Sequence, residues 1–404
     1  MPIEIRPVGP ERQSDFASPL LTAFGMLPSP ERAANIQQIT ELTHRLAAFD
    51  GDTIVGSAGT FSFTLTTPGG AVPTAGLTMV GVLPTHRRQG VMTSLIRQHF
   101  EAARASGQPI SALWASEGSI YGRFGYGIAT QGCAASIERD RADFQDPVPQ
   151  VGRPRLVSEE ESHRLFPVIW DRVRPTSPGM ATRSPSWWKY RRLYDYEKAG
   201  PPLQRLVFEI DGQPEAYALY RHGHRWDSGQ IPVGTLQIVE AIGATPLATR
   251  LVWRYLFDVD LMQRIEASLL PPDHPIFLMV REPRRLRLTL GDAVWVRLLD
   301  IEAALAQRTY VSTRDTVVLD VEDAFCPKNS GRYRIDGASG LAARTDRPAE
   351  LRLDVAALAS AYLGGFTFRR LADAGRAEEL AESAIDRADA LFRSTRAPWC
   401  PEIF

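Results

Sequence analysis

Cysteine is scarce: Cys133, Cys326 and Cys400 are the only three in 404 residues. They are odd in number, scattered, and in no CxxC spacing, which excludes a disulfide framework and argues against a zinc site. They read as buried or idle thiols, and no metal is expected. Long apolar runs are also missing. The opening MPIEIRPVGPERQSD has no apolar h-region, and nothing approaches the roughly 18 consecutive apolar residues of a membrane span. A soluble, cytoplasmic protein with no membrane partner is expected. The third absence is a charge excess. With 46 Lys+Arg against 47 Asp+Glu the formal net charge is −1, so no whole-chain field recruits nucleic acid. The stretch ERAANIQQITELTHRL lacks a paired recognition helix, and no nucleic-acid partner is expected.

What remains is ordinary globular chemistry, 44% hydrophobic and 23% charged. At 404 residues the chain exceeds one comfortable core, and two or three domains follow. The first 140 or so residues read as alternating strands and helices, an α+β pattern. MPIEIRPV alternates like a strand, and Ser29-Pro30 suits an N-cap and N1 proline for a helix through SPERAANIQQITELTHRL. Asp50-Gly51-Asp52 marks a hairpin, AGLTMVGVLP and PISALWAS read as strands, and a last strand of this unit is expected around CAASIERD.

The most informative stretch is VGVLPTHRRQGVMTSLIRQHF. A β-type run ends at Leu83-Pro84, His86 to Gly90 makes a turn, and Val91, Leu95, Ile96 and Phe100 fall on one helical face. A strand that turns through free N–H groups and cations into a helix N-terminus is a receptor for a phosphorylated ligand. Gly90 lets the backbone approach a diphosphate, while Arg87 or Arg88 closes over it.

This segment resembles the acetyl-coenzyme A signature of the GNAT N-acetyltransferases, R/Q-x-x-G-x-G/A, here Arg87-Arg88-Gln89-Gly90-Val91-Met92 with Met92 at a usually small position. ALWASEGSIYGRFGYGIAT resembles the family segment after the fifth strand, and Tyr121 maps onto its general acid. Tyr126, after the glycine, maps onto a packing aromatic. The wording THRRQG, PTAGLTMVGV and ASEGSIYGRFGYG, with a C-terminal phenylalanine, is similar to the Eis (enhanced intracellular survival) aminoglycoside acetyltransferases.

That resemblance implies tandem GNAT folds, mixed central sheets flanked by helices, plus a C-terminal sterol-carrier-like α+β domain. The expected limits are a catalytic domain over 1–145, a degenerate GNAT-like domain over 146–296 and the third domain over 297–404. It implies acetyl-coenzyme A as cosubstrate, held by Val80, Gly81, Val82, Arg87, Arg88, Gly90, Val91, Met92 and Ser116. It implies a pocket for a small-molecule amine at Met79 and Trp114, a homohexamer, and the terminal carboxylate of Phe404 as general base; Glu402, two places before that end and one place off the family's Glu-Phe ending, is expected in the same pocket as an acid that attracts a cationic amine. Glu117 is the fallback base. The second unit carries Ala241-Ile242-Gly243-Ala244-Thr245-Pro246 where the arginines would stand, so no diphosphate site is expected there. A different class of function stays open, a non-catalytic acyl-coenzyme A sensor or lipid carrier, although Tyr121 argues for catalysis.

Overall fold

The structure, a computed structural model, describes residues 3–195 and 200–404. The first unit runs β1 (Glu4–Pro7), α1 (Gln13–Ala23), α2 (Pro30–Gln37), β2 (Leu42–Asp50), β3 (Thr53–Thr67), β4 (Gly70–Val82), α3 (Val91–Ala105) and β5 (Ile110–Trp114). β1 to β5 lie side by side in chain order. The hairpin between β2 and β3 turns where expected, with Gly51 at φ 60° and Asp50 paired with Thr53. Ser29 caps α2, its hydroxyl accepting from the Arg32 amide at 3.2 Å.

One local expectation fails, and one helix goes unread. The helix begun at Pro30 stops at Gln37, and Leu42 already opens β2. Strand pairing overrides the helical spacing of ITELTHRL, because Leu46, Ala47, Ala48 and Phe49 are buried between β1 and β3. Conversely, α1 forms despite Pro19 in its interior, a residue that hides a helix from sequence reading.

Among the described residues there are three sheets, of seven, seven and five strands. The first two exchange strands. Gln131–Glu138, expected to finish the first unit, sits in the second sheet between Thr289–Asp292 and Met262–Leu270. In return Val294–Leu298 enters the first sheet between β5 and the short strand Gly127–Ile128. Chain order alone therefore does not delimit the sheets, since each is completed by a strand from across the 145 boundary. Partner choice between strands is non-local and leaves no mark on either strand's own pattern.

The second sheet repeats the plan of the first. Its hairpin turns through Asp211 and Gly212, both at positive φ, as a type I′ connection requires. Gly234–Gly243 and Met262–Leu270 run parallel around the helix Pro246–Asp258. The third sheet, with the helices Val355–Tyr362, Phe368–Asp373 and Ala384–Phe392, forms the small C-terminal α+β unit. Its buried side chains, among them Leu319, Tyr333, Leu353, Leu358, Tyr362 and Phe392, pack in one cluster with first-sheet residues such as Val294 and Val296. No helix of the described residues is long and apolar enough to cross a membrane.

Candidate active site

The site is built on a fork. β4 and β5 pair in parallel from Thr74/Ile110 to Gly76/Ala112 and then part, although both strands continue. A bulge in β4 widens the gap: Gly81 pairs with Ser57 and Thr78 with Gly59, so Met79 and Val80 together face one residue of β3. Met79 adopts φ 52° and its carbonyl accepts the Ser57 hydroxyl at 2.9 Å. α1 closes over the upper end. A Cβ on Gly81 would lie 2.5 Å from Leu20 Cα, so only glycine permits this approach. Gly81→Ala should push α1 away, costing about 1–3 kcal/mol of stability by overpacking; thermal unfolding measures it, and an unchanged Tm would mean α1 does not seat here.

A cleft of about 670 Å³ opens beside the fork. All nine residues expected at the cosubstrate line it: Val80, Gly81, Val82, Arg87, Arg88, Gly90, Val91, Met92 and Ser116. The turn places Arg88 at φ 61° and Gly90 at φ 79°, and no side chain caps α3, which leaves its first amides for a ligand. Two left-handed residues before a free helix N-terminus form an anion-binding concavity. Arg87 and Arg88 are exposed at its mouth. Sequence reading missed Arg123, which lines the same cleft from the other side, and Phe24 from the end of α1. Arg123 stood inside the quoted YGRFG stretch, so a search of that motif for cations would have found it.

The second unit has the matching strand, turn and helix without the receptor. Thr245 caps the helix, its hydroxyl accepting from Ala248 N at 3.1 Å, and Pro246 supplies no N–H. A Cβ on Gly243 would meet Thr249 N at 2.4 Å, so the turn is packed shut.

Tyr121 ends a short helix, Gly118–Tyr121, with its side chain at the cleft. It is 6% exposed, and burial pushes its phenol up to about 12. The hydroxyl therefore keeps its proton across the neutral range. Tyr126 packs edge-on against it at 5.9 Å, with a different hydrogen-bonding fate. Ser111 donates to Ala75 O at 2.8 Å, so the Tyr126 hydroxyl, 2.7 Å away, donates to Ser111 Oγ. His99 lies 2.9 Å from both Ser111 and Thr60, and burial, then His44, lowers its pKa to about 3. Tyr126 is thus tied into a buried neutral network, while Tyr121 faces the cleft.

The chain end lies on the opposite face of β4. Phe404 is 8% exposed, its ring 4.9 Å from Phe63 and its Cδ2 3.3 Å from where a Cβ on Gly76 would stand. Gly76 is the last paired residue before the fork. Met79 and Trp114 are half-buried against the apolar cluster that includes Phe404, and neither lines the cleft. Glu402, expected in the amine pocket, is buried and ion-paired with Arg183. Glu117 lines the cleft and is exposed.

These features can be set beside known proteins. Two family models, each described as an acetyltransferase (GNAT) domain, match residues 4–129 and 179–298, and a sterol carrier protein domain model matches 301–401. An uncharacterized N-acetyltransferase of Streptomyces avermitilis is 38% identical over 392 residues, 95% of each chain. The N-acetyltransferase Eis of Mycobacterium tuberculosis is 35% identical over 360 residues, 87% of this chain and 86% of its own. The crystal structure of Eis1 from Mycobacterium abscessus matches with a TM-score of 0.85 at 32% identity, covering 100% of both chains. With the fork, the uncapped α3 and the strand-exchanged second GNAT unit behind them, these similarities mean that the chain belongs to the Eis family of GNAT N-acetyltransferases.

Proposed function

We propose that this N-acetyltransferase takes its acetyl group from acetyl-coenzyme A and passes it to a primary amine of a polyamine-type small molecule, of which aminoglycosides are one class. The supporting observation is the cleft itself, where a backbone cradle and three arginines meet a strand fork that leads to a buried phenol. The cosubstrate would supply the thioester and a diphosphate for that cradle.

Each side chain then has a task. Arg87 and Arg88 hold phosphates by charge-assisted hydrogen bonds. Val80, Gly81 and Val82 line the fork and offer their N–H groups to the pantetheine arm and the thioester carbonyl. On the far face of β4, the Phe404 carboxylate takes the proton that an ammonium must lose before its nitrogen attacks. Tyr121 gives its proton to the departing sulfur. Met79 and Trp114 furnish an apolar wall suited to a cationic amine. A non-catalytic sensor or lipid-carrier role is disfavoured by Tyr121 at the cleft, a proton donor that such a role does not need.

The test is thiol release from acetyl-coenzyme A over a panel of aminoglycosides, polyamines, cyclic peptides and lysine peptides, with mass spectrometry counting acetyl groups. Turnover on none of them would overturn the reading. Replacing Arg87 and Arg88 together by alanine should raise the acetyl-coenzyme A KM by roughly 10²-fold or more, the scale of two lost charged hydrogen bonds, with a much smaller change in kcat. Unchanged cosubstrate affinity would remove them from the phosphates.

A further inference from the structure

The second GNAT unit also has a fork, and the chain's own tail fills it. Gly234–Gly243 and Met262–Leu270 pair in parallel from Gly234/Met262 to Ile238/Ala267 and then part. A register shift against the neighbouring strand leaves Val239 unpaired beside this point, the counterpart of the bulge at Met79. Trp399 and Pro401 sit with Val239, Glu240, Ser268 and Leu269 around a remnant of only about 20 Å³. Trp399 donates its indole N–H to Leu269 O and its backbone N–H to Pro178 O at 2.7 Å. Gly179, at φ 93°, allows that approach, since a Cβ there would lie 2.7 Å from Trp399 O.

A charged latch follows directly. Arg183 is fully buried, stacked 3.4 Å over the Trp170 ring, and paired with Glu240 at 2.7 Å and with Glu402. Arg192 also reaches Glu240 at 2.7 Å, and Tyr217 donates to it at 2.7 Å. Burial alone would raise the Glu240 pKa, but Arg183 and Arg192 outweigh it and hold the carboxyl at about 2. Two cations therefore meet two anions, and one anion belongs to the tail. Between Glu402 and Phe404 lies Ile403, 56% exposed, whose carbonyl accepts from Arg191.

We propose that Arg183 is a positioning residue for the chain terminus: the degenerate unit has turned its fork into a socket for the tail, and the Arg183–Glu402 pair sets where the Phe404 carboxylate stands. This rests on the reading of that carboxylate as the base. The pair fixes the residue two places before the reacting group. A displacement of about 1 Å at a reacting group costs on the order of 10²-fold in rate.

The test uses Glu402→Gln, which keeps shape and leaves Arg183 paired with Glu240. To separate tail release from a folding defect caused by the unbalanced charge, the charge-balanced double variant Arg183→Gln/Glu402→Gln is run beside it, retaining Arg192 on Glu240. Two readouts are taken, release of the terminal residues by carboxypeptidase and steady-state kinetics. Tail release should quicken roughly tenfold or more and kcat fall by about 10- to 100-fold, with the acetyl-coenzyme A KM unchanged. Unchanged tail release overturns the latch, even if appending residues after Phe404 still abolishes turnover. Faster release with unchanged kcat overturns the positioning role, and an extended chain that also keeps full kcat would show the fault to lie with the terminal base.

Discussion

Tyr121→Phe will lower kcat by roughly 10²-fold or more, the usual scale for a positioned acid, while cosubstrate binding stays near wild type. One oxygen is removed from a ring already 6% exposed, so packing against Tyr126 is preserved and only the proton donor is lost. Because burial raises this phenol to about 12, ionisation of Tyr121 should not cut the wild-type rate anywhere between pH 7 and pH 10. The sign is simple. The group is active when protonated, and its loss of proton comes only as pH approaches that value. Tyr126→Phe should leave kcat within a few-fold, since its hydroxyl serves Ser111. The pH–rate profile and both variants are measured together. A greater loss at Tyr126 would reverse the two roles.

Appending even a few residues after Phe404 will abolish turnover while acetyl-coenzyme A binding persists. The peptide bond converts the α-carboxylate into an amide, which accepts no proton from an ammonium. A free α-carboxyl titrates at about 3.3–3.7, low for a base near neutrality, so the proposed role requires partial desolvation at the site. The ring of Phe404, 4.9 Å from Phe63 and nearly buried, supplies such surroundings. Phe404→Leu keeps the carboxylate and gives up an edge-to-face contact of about 0.5–1.5 kcal/mol, so its loss should be no more than roughly tenfold. An extended protein that acetylates at the wild-type rate would remove the carboxylate, leaving Glu117 or solvent as the base.

The cosubstrate side was legible because it is local. Strand, turn and helix N-terminus occupy one short stretch from Val80 to Phe100, and the turn's cations and glycine are neighbours in the chain. Their geometry follows from backbone rules that hold wherever such a turn occurs. The hairpin at Asp50-Gly51-Asp52 and the cap at Ser29 were readable for the same reason. The helix drawn through ITELTHRL failed because sheet pairing decides β2, and sheet pairing is contributed by distant residues.

The sequence by itself thus determined the fold class, the order of the three units, the glycine turn with its two arginines before α3, and the lack of those arginines in the second unit. Only the tertiary structure decided which strand closes which sheet, which tyrosine faces the cleft, and where the tail goes. Glu402 shows the reason. By spacing it sat near the chain end and invited a role in amine recognition, but its electrostatic partner, Arg183, is more than two hundred positions away in the chain. A carboxylate's function depends on the charge it meets after burial, and burial is a property of packed elements rather than of a residue's neighbours in sequence.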